Sequence, residues 1–439
     1  MGERRPNIVL IVSDDLGYEA VGANGGTSYK TPVIDRMAAN GIRFENAHVM
    51  PLCTPTRVQL MTGKYNFRNY IGMGLMDSDE VTFGHLFSDA GYKTLISGKW
   101  QMYSYDTQDE FSGDRNRGQR IEDAGFDEYC VWHAHHNEDK GSRYKDPVIY
   151  ENGEYLEDTA DKYGDYIFAD RILNFMDRNK DEEFFVYYPM ALTHGPFEPT
   201  PDSPEWEGYE PWDNKMFGAT TRAEMLAGVE SSPGFFKDMV EYHDKVIGRV
   251  NDKLDELGIR EDTVVIYVGD NGTTQGLCSI MHDHREVCGG KGLTNDRGTH
   301  VPLIVEWPGT IAAGSVEKSM VDSSDFLPTI LEIAGIDPGV DYEMDGRSFL
   351  PQLEGKTGNP RDWMYFHFAP KNWLFIIDTR FIRGTRWKLY DNGNLFDLED
   401  DPDEEYPILP TRDNGEQAEA RAQLEPIFAQ MVPEIPPVK

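Results

Sequence analysis

The sequence predicts an α/β fold: a large, mostly parallel central sheet flanked by helices, followed by a small antiparallel sheet with one helix. Over residues 1–345, short apolar runs typical of strands buried on both faces alternate with amphipathic segments of helical period. Over residues 346–439, short strand-like segments with tight turns precede one last helix. This change divides the chain into a larger α/β domain, residues 1–345, and a C-terminal antiparallel-sheet subdomain, residues 346–439.

The elements of the larger domain follow from the apolar runs and from residues that start or stop a helix. Thr31-Pro32 opens the first helix because the fixed φ of proline suits a first helical turn, and Gly41 ends it. The predicted strands are 7–12, 93–97, 184–188, 263–268 and 301–307. The predicted helices are 32–40, 82–90, 162–178 and 235–257. The stretch 101–160 is polar and rich in Asp, Tyr and His, which predicts an irregular insertion along one edge of a cleft.

The C-terminal subdomain is predicted from its short apolar segments. Tight turns separate these segments, so neighbouring strands are expected to pair antiparallel. The predicted strands are 364–368, 374–378, 381–384, 387–390 and 394–397, and the predicted helix is 416–431.

Composition and charge limit the classes of function. The chain has 439 residues, of which 39% are hydrophobic and 12% aromatic, and this indicates a globular protein with a sizeable core. Its 42 Lys and Arg against 77 Asp and Glu give a net charge of −35, which argues against a nucleic-acid or anionic-membrane partner. No apolar run reaches the roughly 18 residues of a membrane span. The first strand begins without a preceding signal-peptide core, so we expect any leader to be absent from this sequence.

Four cysteines are too few for a disulfide scaffold. Cys278 and Cys288 have two interpretations: a disulfide that closes a short loop, or a zinc site together with His282 and His284. The zinc interpretation is the weaker one, because the spacing matches no usual zinc finger and the segment is a predicted loop.

Cys53 begins the most informative segment, Cys-Thr-Pro-Thr-Arg, which Leu-Met-Thr-Gly follows three residues later. Pro55 predicts a helix start, so Cys53 lies at or just before a helix N-terminus, where the backbone N–H groups and the helix dipole favour an anion. Arg57 lies one turn further on the same face and offers a forked donor to an oxyanion. An isolated cysteine at such a place is ordinarily a buried structural residue. The neighbouring motifs therefore decide whether Cys53 has a structural or a catalytic role.

This segment resembles the signature of the formylglycine-dependent (type I) sulfatases of the alkaline phosphatase superfamily, which have Ser where this chain has Thr56. In that family a formylglycine-generating maturation enzyme converts the cysteine, and the hydrated aldehyde is the nucleophile. The resemblance extends over nearly the whole chain. It implies that formylglycine forms from Cys53 and that the central sheet is alkaline-phosphatase-like.

Oxygen side chains end two of the predicted strands. Asp14 and Asp15 follow the first strand, and Asp270 and Asn271 follow strand 263–268. Either pair alone is most simply explained as part of a turn, where Asp and Asn are common. Together they lie at the carboxyl ends of strands, where open α/β sheets bind ligands, and hard oxygen donors suit Ca²⁺ or Mg²⁺. The resemblance implies that these four residues form the calcium site of the sulfatases.

Three further residues match family motifs in the family's order. Gly-Lys99-Trp resembles Gly-Lys-Trp-His, Thr-His194-x-Pro-Phe resembles the His-x-Pro-Phe loop, and Gly-Gly-Lys291-Gly resembles the sulfate-binding lysine loop. Any one of these residues alone would more often be structural. The resemblance implies that Lys99 and Lys291 bind the sulfate, with Arg57, and that His194, aided by Lys99, protonates the departing alcohol.

One residue departs from the family pattern. The histidine that acts as base on the sulfated intermediate in relatives is replaced by Gln101, whose amide cannot titrate. Histidines near the expected cleft are candidates to replace it or to contact the substrate: His133, His135, His136 and His300.

The residues and the resemblance predict a sulfatase that hydrolyses sulfate monoesters, expected to be those of sulfated carbohydrates, in the periplasm or outside the cell. Its expected partners are the sulfated substrate and the maturation enzyme. One alternative is a formylglycine-dependent phosphonate monoester or phosphodiester hydrolase, which shares the metal site and the nucleophile. A second alternative is a degenerate homologue that only binds sulfated glycans, suggested by Thr56 and Gln101.

Overall fold

A ten-stranded mixed sheet forms the centre of the molecule, and a four-stranded antiparallel sheet is built from the C-terminal part of the chain. The computed structural model describes residues 5–104, 116–136, 140–211, 233–369 and 378–431. In chain order the strands are β1 (Asn7–Ser13), β2 (Ile42–His48), β3 (Tyr70–Gly72), β4 (Leu75–Met76), β5 (Lys93–Lys99), β6 (Glu128–Trp132), β7 (Ile149–Glu151), β8 (Glu154–Tyr155), β9 (Phe184–Pro189), β10 (Thr263–Gly269), β11 (Cys278–Ile280), β12 (Glu286–Cys288), β13 (Leu303–Glu306), β14 (Ser315–Asp322), β15 (Met364–Phe368), β16 (Thr379–Arg383), β17 (Trp387–Tyr390) and β18 (Leu395–Asp397). The α-helices are α1 (Pro32–Asn40), α2 (Cys53–Thr62), α3 (Asn66–Asn69), α4 (Phe83–Asp89), α5 (Gly164–Asn179), α6 (Phe236–Leu257), α7 (Asp296–Thr299), α8 (Phe326–Ala334), α9 (Leu350–Leu353) and α10 (Gly415–Gln430).

The large sheet is parallel in its middle and antiparallel near its edges. Its strand order is β14-β2-β13-β10-β1-β9-β5-β6-β7-β8. The five strands from β10 to β6 all run parallel, whereas β13, β7 and β8 run antiparallel to their neighbours. The predicted fold class is therefore confirmed, and the carboxyl ends of β1, β5, β9 and β10 meet at one edge of the sheet.

Helices cover both faces of this sheet, as the uninterrupted apolar run of β1 requires. Ile8, Leu10 and Val12 pack in one core cluster with α2, α4 and α8. Val9 and Ile11 pack in another cluster with α1, α5 and α6. Alternate side chains of one strand thus face opposite layers. Among the described residues, none of the helices combines the length and the apolar composition that crossing a membrane requires.

The stretch 101–160 was predicted to be an irregular insertion, but the structure contains strands there. It contains β6, which extends the parallel sheet, and β7 and β8, which close that edge. The segment β6 is short and only its last three residues are fully buried, so its apolar signal is weak against polar neighbours. The sequence pattern likewise does not predict β2 and β14, because consecutive polar residues, Glu45-Asn46 and Glu317-Lys318-Ser319, interrupt the alternation that indicates a strand.

The C-terminal strands β15 to β18 form an antiparallel meander, as predicted. The predicted strand 374–378 lies outside the described residues except for Asp378. Helix α10 begins with a capping box in which the Asn414 side chain accepts from the N–H of Gln417. The meander shares a core with the start of α2: Cys53 packs in one cluster with Phe366 and Phe381. The domain division at residue 345 stays a prediction.

A buried ion pair joins the meander to the larger part of the chain. Arg383 of β16 donates to both carboxylate oxygens of Asp296 in α7, at 3.0 and 2.8 Å. We expect Arg383→Met to lower the free energy of unfolding by about 2–3 kcal/mol, somewhat below the cost of breaking a fully buried pair, because Asp296 is partly exposed. Denaturant unfolding followed by circular dichroism measures this loss.

The pH dependence and a matched variant separate this ion pair from packing. Burial alone would raise the pKa of Asp296, but Arg383 holds that pKa well below its usual range. The difference between wild type and variant should therefore be complete above about pH 4 and shrink as the pH falls below it. Arg380→Met removes an exposed pair with Asp391 from the same strand and should cost about 0–1 kcal/mol. Equal losses in the two variants would contradict this account.

Candidate active site

The loops that follow β1 and β10 bring four oxygen side chains together. The two strands are parallel and end in register, so the chain leaves both at the same edge. Asp14, Asp15, Asp270 and Asn271 are all buried there. The backbone N–H of Asp15 donates to Oδ1 of Asp270 at 3.1 Å, and the amide of Asn271 donates to Oδ1 of Asp15 at 2.9 Å. The structure thus brings together the four residues predicted to hold the metal.

Helix α2 begins at this cluster. Cys53 is its first residue and is buried, and its Sγ lies within 4.8 Å of carboxylate oxygens of both Asp14 and Asp270. One turn later, Nε of Arg57 donates to Oδ2 of Asp270 at 2.9 Å, and its Nη2 lies 3.7 Å from Asp14. A helix N-terminus, a thiol and a guanidinium therefore converge on the carboxylates.

Two lysines and one histidine approach the cluster from other loops. Nζ of Lys99, the last residue of β5, lies 2.7 Å from Oδ2 of Asp14. Nζ of Lys291 lies 2.6 Å from Oδ2 of Asp15. Nε2 of His194 lies 3.8 Å from the same Asp15 oxygen, and its Nδ1 donates to the carbonyl of the next residue. The predicted catalytic residues thus lie around one point.

The charges in this cluster are strongly coupled. Burial and the charge of Lys291 lower the pKa of His194 to about 3, so its imidazole is neutral at pH 7. Burial opposes ionisation of Asp14, but Lys99 and the other cations hold its pKa well below the usual range. Burial and the neighbouring Asp14 raise the pKa of Asp270 to about 7 in spite of Arg57. Three carboxylates are thus crowded in one buried site.

The donor set fits a hard divalent cation. Oδ1 of Asp14 and Oδ1 of Asn271 are buried without a hydrogen-bond partner among the described residues. A buried oxygen without a hydrogen-bond partner destabilises the folded protein unless a ligand binds to it. Three carboxylates and an amide oxygen are ligands that Ca²⁺ and Mg²⁺ prefer, and a cation beside them would relieve the repulsion that raises the pKa of Asp270.

Gln101 and His133 occupy equivalent places after neighbouring strands. Lys99 and Trp132 are in register in β5 and β6, and two residues beyond Lys99 the N–H of Gln101 donates to the carbonyl of His133 at 3.1 Å. Of the histidines proposed to replace the missing base, the described contacts place His133 beside Gln101. Its role stays a prediction.

His135 and His300 are held elsewhere. His135 lies 3.1 Å from Glu122 and also contacts Tyr155 of β8. His300 stacks on Tyr18 and its Nε2 donates to the backbone carbonyl of Glu45. Among the described residues, no contact of either ring with the carboxylate cluster is found. Their role as substrate contacts stays a prediction. Nδ1 of His136 contacts the hydroxyl of Ser104.

Cys278 and Cys288 form a disulfide across the hairpin of β11 and β12. The disulfide interpretation is therefore confirmed, and the zinc interpretation is wrong because both sulfurs are used in that bond. His282 and His284 are exposed on the turn of the hairpin.

Other residues that support the site carry no sequence motif. The hydroxyl of Thr274 donates to Asp15 at 3.2 Å, and the hydroxyl of Tyr144 donates to the carbonyls of Ala191 and His194. Tyr144 belongs to the Asp-, Tyr- and His-rich stretch, where composition alone did not distinguish it. These contacts hold the loop after β9 against the cluster.

Two family models match the chain. The model described as Sulfatase matches residues 6–336. The model described as N-sulphoglucosamine sulphohydrolase, C-terminal, matches residues 290–430. The first match contains every residue of the carboxylate cluster, and the second contains the antiparallel meander.

Known proteins similar to the chain include two curated relatives and a solved structure. An N-acetylglucosamine-6-O-sulfatase of Bacteroides thetaiotaomicron is 25% identical over 91% of this chain and 82% of its own length. An N-acetylgalactosamine-6-sulfatase of Mus musculus is 29% identical over 79% of this chain, which spans 66% of that relative's length. The crystal structure of Ps i-CgsB in complex with k-i-k-neocarrahexaose has a TM-score of 0.74 at 23% identity, covering 98% of this chain and 92% of that one.

Proposed function

The chain belongs to the sulfatase family of sulfuric ester hydrolases, and we propose that it hydrolyses sulfate monoesters of carbohydrates with a formylglycine formed from Cys53. The convergence of Cys53, Arg57 and two lysines on one carboxylate cluster carries this proposal. The relative from Bacteroides makes 6-sulfated N-acetylglucosamine the first substrate to examine.

Calcium is the proposed metal, held by Asp14, Asp15, Asp270 and Asn271, with magnesium as the other candidate. When bound, it supplies Lewis-acid charge to an oxygen of the sulfate. The pair of buried, unsatisfied oxygens supports this assignment. Formylglycine at position 53 would supply, as its hydrate, a hydroxyl able to attack sulfur.

The chain's own residues bind the sulfate and move the proton. Arg57, Lys99 and Lys291 neutralise the sulfate oxygens on which negative charge develops. His194 donates its Nδ1 hydrogen to a backbone carbonyl, which orients Nε2 towards the cluster. Binding of an anionic ester favours the imidazolium, and its Nε2 proton then goes to the departing alcohol oxygen.

A substrate panel tests this function. The protein is coexpressed with a formylglycine-generating enzyme and offered sulfated mono- and disaccharides, an aryl sulfate and an aryl phosphodiester. Release of inorganic sulfate from a sulfated saccharide is the expected result. Faster hydrolysis of the phosphodiester than of every sulfate ester would favour the phosphonate or phosphodiester hydrolase. Binding of sulfated glycans without turnover by fully converted protein would favour a degenerate homologue.

The disulfide is evidence about the cellular compartment in which the protein works. Disulfides persist in oxidising compartments and are rare in the reducing cytosol. The bond between Cys278 and Cys288 therefore supports the proposal that the enzyme works in the periplasm or outside the cell.

Gln101 leads to a kinetic prediction. Since its amide cannot accept a proton, release of sulfate from the protein should be slower than release of the alcohol. General-base catalysis contributes about 10²- to 10⁴-fold, so the alcohol should appear in a burst stoichiometric with converted Cys53. Rapid-quench measurements with an activated aryl sulfate detect the burst, and Gln101→His should raise the steady rate that follows it.

The neighbouring histidine provides the control for this prediction. If His133 already acts as the base, wild type shows no burst and His133→Ala reveals one. His135→Ala serves as the matched variant, because His135 is bound to Glu122 outside the cluster, and it should behave as wild type. A wild type without a burst would contradict the prediction from Gln101.

A further inference from the structure

We propose that Arg143, together with Lys140, forms a second anion-binding subsite beside the sulfate site, so that the preferred substrate carries a second acidic group near the ester that is cleaved. This inference rests on the proposed sulfatase function and extends it to the class of substrate. The second group is an oxyanion, either a carboxylate or another sulfate.

Both cations lie against the strand that neighbours Lys99. The guanidinium carbon of Arg143 lies 4.1 Å from the ring centre of Trp132, and Nζ of Lys140 lies 5.8 Å from the same ring. Trp132 is the register partner of Lys99 across β5 and β6. The pair of cations therefore sits one strand away from a lysine of the sulfate site.

Tyr144, the residue after Arg143, connects this segment to the loop that contains His194. The hydroxyl of Tyr144 donates to the backbone carbonyls of Ala191, at 2.8 Å, and of His194. The charge of Arg143 is close enough to lower the pKa of His194, and Lys140 lies in the fields of both Arg143 and Lys99. Because His194 is the residue assigned to the departing alcohol, these contacts place Arg143 on the side of the site where we expect the sugar to lie.

Arg143 is buried, and one of its nitrogens has no hydrogen-bond partner among the described residues. Its exposed fraction is 6%, and this nitrogen is Nη1. A buried charged group in this state is costly unless an anion satisfies it. The nearby Lys145 is also buried, but its Nζ donates to the carbonyls of Trp206 and Tyr209. Arg143 therefore keeps a buried donor, Nη1, that a ligand could satisfy.

The chemistry of the guanidinium identifies the ligand. Its planar fork matches the paired oxygens of a carboxylate or a sulfate. The ester sulfate already has Arg57, Lys99 and Lys291, all of which contact carboxylates of the cluster. The guanidinium of Arg143, with its buried and unsatisfied Nη1, is thus available to a second acidic substituent.

Three substrates test the subsite: N-acetylglucosamine 6-sulfate, glucosamine 2-N,6-O-disulfate, and a disaccharide of a uronic acid linked to N-acetylglucosamine 6-sulfate. The measured quantity is kcat/KM for each, with fully converted wild type, Arg143→Met and Arg143→Lys. We expect wild type to prefer one of the doubly acidic substrates, and the one preferred distinguishes sulfate from carboxylate. Arg143→Met should reduce that preference ratio by about 10- to 100-fold, and Arg143→Lys should retain part of it.

The control is Lys145→Met, which removes a buried cation from the same segment and should leave the preference ratio unchanged. A wild type that turns over all three substrates without preference would overturn the inference. So would an Arg143→Met variant that slows all three equally, since that is the result of a merely structural role. Failure to release sulfate from any of them would instead contradict the proposed function on which the inference rests.

Discussion

Removal of divalent metal is expected to abolish sulfate release and to lower the melting temperature. Asp14, Asp15 and Asp270 are buried at close range, and without a metal ion Arg57 and the two lysines are left to offset their mutual repulsion. A ligand that binds the folded state alone and is present at 100 times its Kd contributes about 2.7 kcal/mol. Loss of calcium at such a concentration should therefore remove about that much stability together with activity.

Dialysis against EDTA, followed by elemental analysis, differential scanning calorimetry and turnover assays, measures both effects. Readdition of calcium or magnesium should restore them, and the ion that restores turnover at the lower concentration is the better ligand. In Asp14→Asn, which lacks one carboxylate of the cluster, calcium should raise the melting temperature less than in wild type. Undiminished turnover by protein that contains no metal after chelation would contradict the assignment.

Replacement of Arg57 by Met is expected to reduce kcat by about 10²- to 10³-fold or more, the usual cost of removing one donor to a developing oxyanion. Arg57 is buried and bound to Asp270 through Nε and Nη2, so its guanidinium is fixed before the substrate arrives. Arg57→Lys should recover little, because an ammonium cannot reproduce the two-point contact.

A matched variant separates catalysis from folding. Arg361 is a buried arginine that contacts Asp325 through Nε and Nη2, away from the carboxylate cluster. Arg361→Met should lower stability as Arg57→Met does, but it should keep near-normal kcat in the folded fraction. Assays are run at a temperature at which circular dichroism shows both variants folded. Similar losses of kcat in both would contradict the role of Arg57.

The parts of the fold that were predicted correctly are those with an unambiguous local pattern. β1 and β10 are buried over their whole length, so their sequences are uninterrupted apolar runs. The sequence pattern does not predict β2 and β6, because these strands mix polar with apolar side chains. Their strand structure depends on pairing with distant neighbours, which a local pattern does not record.

In the candidate active site, too, local motifs predict some features and miss others. Motifs predicted Cys53, the lysines and the oxygen side chains proposed to hold the metal, because each follows a strand or opens a helix. Their mutual contacts, such as that of Arg57 with Asp270, depend on how the sheet aligns its strand ends. Arg143 carries no motif, and its burial beside Trp132 with an unsatisfied Nη1 becomes visible in the structure alone.

The central claim is that the nucleophile is formylglycine formed from Cys53. Its most direct test measures intact-protein mass and turnover of one sulfated saccharide together, on preparations made with graded amounts of the maturation enzyme. We predict that kcat per molecule rises in proportion to the converted fraction and extrapolates to zero for unconverted Cys53. Full activity in a preparation that contains only the unmodified cysteine would contradict the claim.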